Sequence, residues 1–428
     1  MRKSVSMTEW DQADARSAPE LKYNFFDDDP SLRRVVGALA HRITVRELRN
    51  GLELVSNSYV GCVDIGPLRI RIKPKLAGLP LARLLSYAYG LHDLGTFDTT
   101  FANVEDLGIH DLLIVMLGKE TERLLRRGLD QRYIGRNENL VSPRGQLLVS
   151  EYIRRGGAID ATLPCRRFDR STNWSLNQVL LGGLQAAAAI ADSQEVRRYV
   201  QHQYPSFSGI QVPSRISLRE VEAAESGLTR VTEPAGAALR IITLLLQDQG
   251  LGSDSDRSAE MSGHLFDMNM FFQRLLCRFL DDHLTRYAVK DEVPIRTLFA
   301  FAKGANPRSR RTPTPRPDLA IYQDENLVGF FDAKYRDLWK LSLPPEWLYQ
   351  LSIYAIPSKA KTSVLLYATM ATDGRDERIE IKDPSTGGNL ATVVIRPVPL
   401  TEMAAAISKR DDGCSARALA SRLISNIH

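Results

Sequence analysis

The chain has 428 residues, of which 43% are hydrophobic and 25% charged. At that length two or three domains are expected, each able to bury a core, and the composition excludes a wholly disordered, collagenous or coiled-coil protein. Lys+Arg 56 against Asp+Glu 51 leaves a net charge of only +5, too mild to identify a nucleic-acid partner by itself, so any basic surface is local.

Cys62, Cys165, Cys277 and Cys414 are far apart and form no CxxC pair. This argues against a disulfide framework or zinc site and fits reduced thiols in a cytoplasmic protein. Met1 to Asp14 has no apolar core, so no signal peptide is expected. The longest apolar runs, such as Leu112 to Leu117, fall far short of a membrane span. GxxxxGK[ST], GxGxxG, GxSxG and HExxH are all missing, which disfavours a self-contained NTPase, a Rossmann dehydrogenase, a serine hydrolase and a zincin.

In chain order, residues 1–40 read as a polar leader carrying the acidic run Asp27-Asp28-Asp29. Residues 41–110 read as a β-rich domain. His41 to Leu48 and Gly51 to Ser56 flank Arg49-Asn50-Gly51, an Asn-Gly hairpin signal, and Tyr59 to Ile65 and Leu68 to Ile72 flank Gly66-Pro67. Leu68, Ile70 and Ile72 alternate with Arg69, Arg71 and Lys73, predicting a half-buried strand with a basic outer face. The expectation is a small sheet with protruding hairpins.

Residues 111–255 read as a mostly helical middle domain, with helices over 107–129, 173–191 and 234–248. The Gly/Ser/Asp-rich stretch 249–262 reads as a linker. Residues 256–428 read as a helix from Phe266 to Tyr287, strands Leu319 to Tyr322 and Leu327 to Tyr335, and a helix from Pro345 to Ile356. Strands Ser363 to Thr369 and Ala391 to Pro397 and a helix from Thr401 follow. That is an α/β domain with a mixed central sheet, and the whole chain is expected to be an α+β multidomain protein.

The chemistry concentrates in Arg316-Pro317-Asp318-Leu319 and Phe330-Phe331-Asp332-Ala333-Lys334-Tyr335. Strand alternation puts Phe330, Asp332 and Lys334 on one face and Phe331, Ala333 and Tyr335 on the other. An Asp and a Lys in an apolar strand are costly unless paired or bound to a metal. Asp318 opens the preceding strand, and a turn at Asp324-Glu325-Asn326 brings it alongside. Two carboxylates plus a backbone carbonyl suit a hard divalent ion, usually Mg²⁺, which stabilises phosphate charge and helps generate hydroxide from water. Taken alone, the Asp-x-Lys triplet reads more simply as an ion pair at a strand edge.

Three neighbouring features bear on the choice. Gln350 and Tyr354, four apart, share a helix face, as substrate-facing groups or as plain packing. Phe266, Met270, Gln273, Cys277, Leu280 and Leu284 read as one helical stripe in which Gln273 needs a partner. Lys303, Arg308, Arg310, Arg311 and Arg316 lie in a proline-rich stretch with no acid, either guiding a phosphate backbone toward Asp318 or forming a solvated loop. A further cluster, Arg123, Arg126, Arg127, Arg132 and Arg136, fits DNA, a partner's acidic face, or a helix C-terminus that favours cations.

Pro317-Asp318…Asp332-Ala333-Lys334 resembles the PD-(D/E)xK nuclease superfamily. The segment Glu346 to Ala355, with Gln350 and Tyr354, resembles the Gln-x-x-x-Tyr helix of its RecB-like branches. Where that superfamily often places a Glu on the preceding helix, this chain has Gln273. Tyr59-Val60-Gly61-Cys62-Val63 with Leu68 to Lys75, Arg136 to Leu140 with Arg144 to Leu147, and Pro164 to Asp169 with Asn173 to Asn177 are together similar to the McrC family.

The resemblance implies an Mg²⁺-dependent DNA endonuclease subunit of a prokaryotic, cytoplasmic modification-dependent restriction (defence) system. Mn²⁺ is the expected substitute metal, and no nucleotide is bound by this chain itself. The implied partners are an McrB-like AAA+ GTPase ring, whose hydrolysis the chain stimulates, and double-stranded DNA carrying modified cytosine; no membrane is involved. It implies metal ligation by Asp318, Asp332 and the Ala333 carbonyl, with Gln273 reached through water. Lys334 would serve the nucleophile or transition state, and Gln350 would orient substrate or water. Arg308, Arg310, Arg311 and Arg316 would contact DNA, and Arg69, Arg71 and Lys73, on an N-terminal finger, the ring. Two alternatives are an adaptor and activator of an AAA+ ring with a weak or inactive nuclease domain, and a stand-alone repair nuclease.

Overall fold

The structure is a computed structural model describing residues 3–23, 25, 29–91, 107–157, 161–212, 215–248, 261–409 and 412–425. Two units divide the chain, one formed by 1–109 together with 251–428 and the other by 110–250. The first unit begins with strands β1 (Lys3–Thr8) and β2 (Gln12–Ala13) and helix α1 (Pro30–Leu39). Hairpin strands β3 (Ile43–Leu48) and β4 (Gly51–Ser56) follow, then β5 (Tyr59–Ile65), β6 (Leu68–Lys73) and helix α2 (Gly78–Tyr89).

The second unit holds α3 (Ile109–Arg126), β7 (Arg132–Leu140), β8 (Gln146–Leu147), α4 (Val149–Arg154) and β9 (Leu163–Ser171). Helices α5 (Ser175–Ile190), α6 (Gln194–Gln201), α7 (Leu218–Ser226) and α8 (Gly236–Asp248) complete it. The chain then re-enters the first unit with β10 (Met261–Asp267), α9 (Met268–His283), β11 (Ala288–Asp291), β12 (Leu319–Gln323) and β13 (Asn326–Lys334). Last come α10 (Pro345–Ala355), β14 (Thr362–Thr369), β15 (Glu377–Lys382), β16 (Asn389–Pro399), α11 (Leu400–Ser408) and α12 (Cys414–Ile424).

The N-terminal region differs from the leader and separate β-domain expected over 1–40 and 41–110. Strand β1 pairs in parallel with β6, and β10 pairs antiparallel with β5, giving the order β1-β6-β5-β10. The alternation at 68–73 is as expected: Leu68, Ile70 and Ile72 are buried while Arg69, Arg71 and Lys73 face outward. The hairpin does not protrude, however, because both of its edges are occupied. Its backbone donors and acceptors are satisfied by strands drawn from residues 3–8 and 261–267, and an unpaired edge would have remained costly or adhesive. The remaining acidic-run residues Asp27 and Asp28 and the linker over 249–260 lie outside the described residues.

The six-stranded sheet, ordered β11-β12-β13-β14-β16-β15, carries the chemistry-bearing strand near its centre. Strands β12 and β13 form an antiparallel hairpin with Leu319 opposite Phe331, and β13 and β14 run parallel, joined across α10. Parallel strands covered on both faces read as continuous apolar runs; β14 is buried along its whole length. Phe330, Leu351, Tyr354, Leu365 and Tyr367 share one core cluster, so α10 is packed onto the face that carries Asp332.

Helix α9 begins two residues later than expected because Asp267 caps it, its side chain accepting from the Asn269 and Met270 amides. Its buried face is Met268, Phe271, Phe272, Leu275, Leu276, Phe279 and Leu280. The stripe predicted through Phe266, Met270, Gln273 and Cys277 is therefore out of phase: Phe266 belongs to β10, Met270 is exposed, and Gln273 and Cys277 are half-buried. The paired apolar residues at 271–272, 275–276 and 279–280 make the wider face, and it sets the helix rotation.

In the second unit, β7 and β9 form a nine-residue antiparallel ribbon, Arg132 opposite Ser171 through Leu140 opposite Leu163, with β8 on the far edge of β9. A mostly helical reading misses these strands because β7 is largely exposed, β9 is mostly half-buried, and both carry few apolar residues. Tyr133 and Phe168 on the ribbon, and Val141, Val149 and Ile153 near it in sequence, are large apolar side chains left exposed.

Candidate active site

Pairing of β12 with β13 draws the two carboxylates together. The register Leu319–Phe331 carries Asp318, one residue earlier, to the level of Asp332 and Ala333. The Ala333 amide donates to Asp318 Oδ2 at 2.8 Å. Asp332 is 1% exposed, and Lys334, two residues on and hence on the same face, places Nζ 2.6 Å from Asp332 Oδ2. That oxygen receives no hydrogen bond of regular geometry, and the Lys334 ammonium is the positive charge set against it. Gln350 reaches in from α10, its Nε2 3.4 Å from Asp332 Oδ1 and 2.9 Å from the Tyr354 hydroxyl. Tyr354 in turn donates to the Arg316 carbonyl at 3.1 Å, tying α10 to the chain that enters β12.

Burial, reinforced by the negative charge of Asp332, pushes the Asp318 carboxyl up from 3.8 to about 7, against the opposing pull of Lys334 and the Ala333 amide. Two like charges and a single ammonium leave the cluster short of positive charge. Burial also raises the Tyr354 hydroxyl, with both carboxylates adding to the effect. Among the described residues no group of three or more His, Cys, Asp and Glu side chains gathers around a point. This site offers two carboxylates, one with a buried oxygen lacking a regular hydrogen bond, and that oxygen-donor set fits a hard divalent cation completed by water or backbone carbonyls.

Residues absent from the sequence-level site brace the end of β13. The Trp10 indole donates to the Tyr335 carbonyl at 2.7 Å, and Asn269 accepts from the Tyr335 amide at 2.9 Å. The Arg336 guanidinium lies 5.2 Å from the Trp10 ring centre and 5.7 Å from that of Trp347, and Lys334 Nζ lies 5.5 Å from the same Trp347 ring. Lys334 thus stands between Asp332 and an aromatic face, in contact range of a cation–aromatic stack. Buried Glu9, beside the Tyr335 hydroxyl, accepts from the Lys75 amide at 2.8 Å, and burial raises its carboxyl from 4.5 to about 7. The signal that finds Asn269 is its place at the second position of a capped helix; Trp10 lies 325 residues from Tyr335 and has none.

The other expected residues fall elsewhere. Gln273 makes no hydrogen bond to Asp318, Asp332 or Lys334; Asn269, four residues earlier on α9, is the helix side chain that reaches the end of β13. Ala333 is buried and contributes its amide to Asp318. Arg308, Arg310, Arg311 and Arg316 are exposed on the loop between β11 and β12. Arg69 is 3.7 Å from Asp64, and Arg71 Nε is 3.4 Å from Cys62 Sγ, both on the outer face of the four-stranded sheet with Lys73. Cys62, Cys165, Cys277 and Cys414 are free thiols. No helix among the described residues is long and apolar enough to cross a membrane.

A mixed α+β chain with two adjacent carboxylates, one buried and one half-buried, and a lysine at the end of a central strand defines the class. The particular family follows from comparison with known proteins. The family model described as "McrBC 5-methylcytosine restriction system component" matches residues 54–368, well over half of the chain, and the chain belongs to that family. No curated protein matches it. A chain in the refined half-complex from the tetradecameric assembly of Thermococcus gammatolerans McrB AAA+ hexamers with bound McrC is similar in fold, with 17% identity and a TM-score of 0.64, covering 98% of this chain and 100% of that one. A chain of the cryo-EM structure of the Thermococcus gammatolerans McrBC complex is 17% identical with a TM-score of 0.46, over 67% of this chain and 89% of that one.

Proposed function

We propose that this protein is the Mg²⁺-dependent DNA endonuclease subunit of a modification-dependent restriction system, working with an McrB-like AAA+ GTPase ring. The observation that carries the reading is the Asp318–Asp332–Lys334 cluster at the end of β13, in a chain of the McrBC family.

Asp318 and Asp332 would hold the cation, with the Ala333 carbonyl and, through water, Gln273 as further candidates. When bound, Mg²⁺ would supply charge neutralisation at the scissile phosphate and a lower pKa for water. Asp332 and Asp318 must both be ionised to hold it, and the Asp318 proton is the one to be displaced. Lys334, already charge-paired, is placed to stabilise negative charge gathering on phosphate oxygens. Gln350, held by Tyr354, would orient a water or a phosphate oxygen beside Asp332. The exposed Arg308, Arg310, Arg311 and Arg316 would hold the DNA backbone.

The ring partner is supported by the McrB AAA+ hexamers named with the similar fold. Two surfaces are proposed to meet it. One is the ribbon β7–β9, where Tyr133 and Phe168 are exposed among polar and basic side chains, since aromatic anchors in a polar rim suit a protein interface. The other is the basic outer face at Arg69, Arg71 and Lys73. Stimulation of the ring's GTP hydrolysis and a double-stranded substrate bearing modified cytosine belong to the same proposal.

The test is cleavage of DNA by the native chain and by Asp332→Asn and Lys334→Ala. Each substitution is expected to lower the rate by at least about 10²–10³-fold with the fold retained. Native-like cutting by either variant would overturn the reading.

A further inference from the structure

Between β11, which ends at Asp291, and β12, which begins at Leu319, the chain runs without a helix or strand. Loops of this length in a compact unit are usually functional. This one is held at its base rather than free. The Glu292 amide donates to the Asp318 carbonyl at 3.1 Å and the Ile295 amide to the Pro315 carbonyl at 2.9 Å. Asn306 bridges to Arg310 twice, through its amide nitrogen to the Arg310 carbonyl and through its oxygen from the Arg310 amide, both at 2.9 Å. The stem therefore ends on the residue that opens the candidate site.

Residues 293–317 contain six cations and no Asp or Glu. The cations are Arg296, Lys303, Arg308, Arg310, Arg311 and Arg316; all six are exposed, and none forms an ion pair among the described residues. In the same loop Phe299 and Phe301 are 39% and 44% exposed, two residues apart with no turn between them. A phosphate backbone explains the cations, but it gives no reason to keep two phenyl rings in water. Bases do: an aromatic face stacks on any base once the base is out of its own stack, and a basic track with aromatic platforms is how proteins hold single strands. Within a closed duplex the base faces are covered and the rings have nothing to meet.

We propose that the loop over 293–317 binds an unpaired DNA strand, with Phe299 and Phe301 stacking on bases and the six cations following the phosphates toward Asp318. This rests on the nuclease reading for its substrate and goes beyond it in the form of DNA bound. The site then receives a strand locally parted from its complement, as a fork or a melted stretch, rather than an undisturbed duplex.

The experiment measures binding by fluorescence anisotropy, with chelator present so that nothing is cut. A single-stranded oligonucleotide, a blunt duplex and a splayed fork of the same sequence are compared for the full native chain, for Phe299→Ala/Phe301→Ala and for Arg310→Ala/Arg311→Ala. The native chain is expected to prefer the single strand and the fork. Loss of both rings should weaken those two by on the order of tenfold or more and leave the blunt duplex unchanged, while loss of the two arginines weakens all three. The rings are exposed, so an unchanged melting temperature verifies the fold of the double variant. Equal native affinity for all three DNAs, or no effect of removing the rings, would overturn the proposal. Failure of the nuclease reading is separate: it would appear as DNA bound through the rings but never cut, whereas cutting that needs Asp332 with binding indifferent to the rings would sink only the present inference.

Discussion

At the scale of single residues, Asp318 is the carboxylate whose proton bears on the proposed metal binding. Its carboxyl is raised to about 7 by burial and by Asp332. Below that value it is largely protonated and a cation must displace the proton; above it the carboxylate is free. The affinity for Mg²⁺ is therefore expected to rise by about tenfold per pH unit up to about pH 7 and then level off. Calorimetric titration across that range checks it, and a pH-independent affinity would contradict it. Glu9 has the same sign without a ligand. Its value of about 7 in the fold lies above its ordinary 4.5, so the protonated form stabilises the native state and this contribution is lost as pH rises through about 7. Glu9→Gln, which mimics the protonated carboxyl, should melt like the native chain near pH 5 and gain about 1–3 kcal/mol over it near pH 8. A difference that does not change with pH would show that Glu9 does not titrate there. Asp318, Asp332 and Lys334 were legible in the sequence because charged residues in an apolar strand are out of place. The stripe through Phe266, Met270 and Gln273 is out of phase because the apolar face of α9 lies one residue around from it.

At the scale of elements, the end of β13 is gripped from three directions: by Trp10 after β1, by Asn269 on α9, and by the Arg336–Trp347 contact with α10. Trp10→Ala removes a hydrogen bond to the Tyr335 carbonyl and one face of the Arg336 stack. A loss of about 1–3 kcal/mol is expected, read by chemical denaturation; native stability in the variant would show that the brace contributes nothing to the fold. The hairpins at 43–56 and 59–73 and the α10 crossover follow from local pattern, since turn residues and alternation lie within a few positions of one another. The bracing does not, because β1 meets β6, and β10 meets β5, only through pairings between distant segments. Likewise β7 and β9 give no strand signal, because a ribbon with no continuous buried face lacks the alternation that marks one.

At the scale of the whole molecule, the candidate site belongs to a unit built from both ends of the chain, with residues 110–250 falling between them in sequence. Composition suggests a division into leader, finger, middle and nuclease because it records where a segment changes character but not which distant segment it returns to. The inserted unit carries the exposed Tyr133 and Phe168. Changing both to Asp is expected to abolish co-elution with the AAA+ ring while Mg²⁺ binding by the chain persists; undiminished complex formation would remove the ribbon from the proposed interface. The most direct measurement is plasmid cleavage by the chain reconstituted with its AAA+ partner, Mg²⁺ and GTP, on cytosine-methylated and unmethylated DNA, with Asp332→Asn alongside. Cutting confined to methylated DNA and lost in Asp332→Asn is the predicted result. GTP hydrolysis stimulated by the native chain with neither DNA cut, or cutting undiminished in Asp332→Asn, would contradict it.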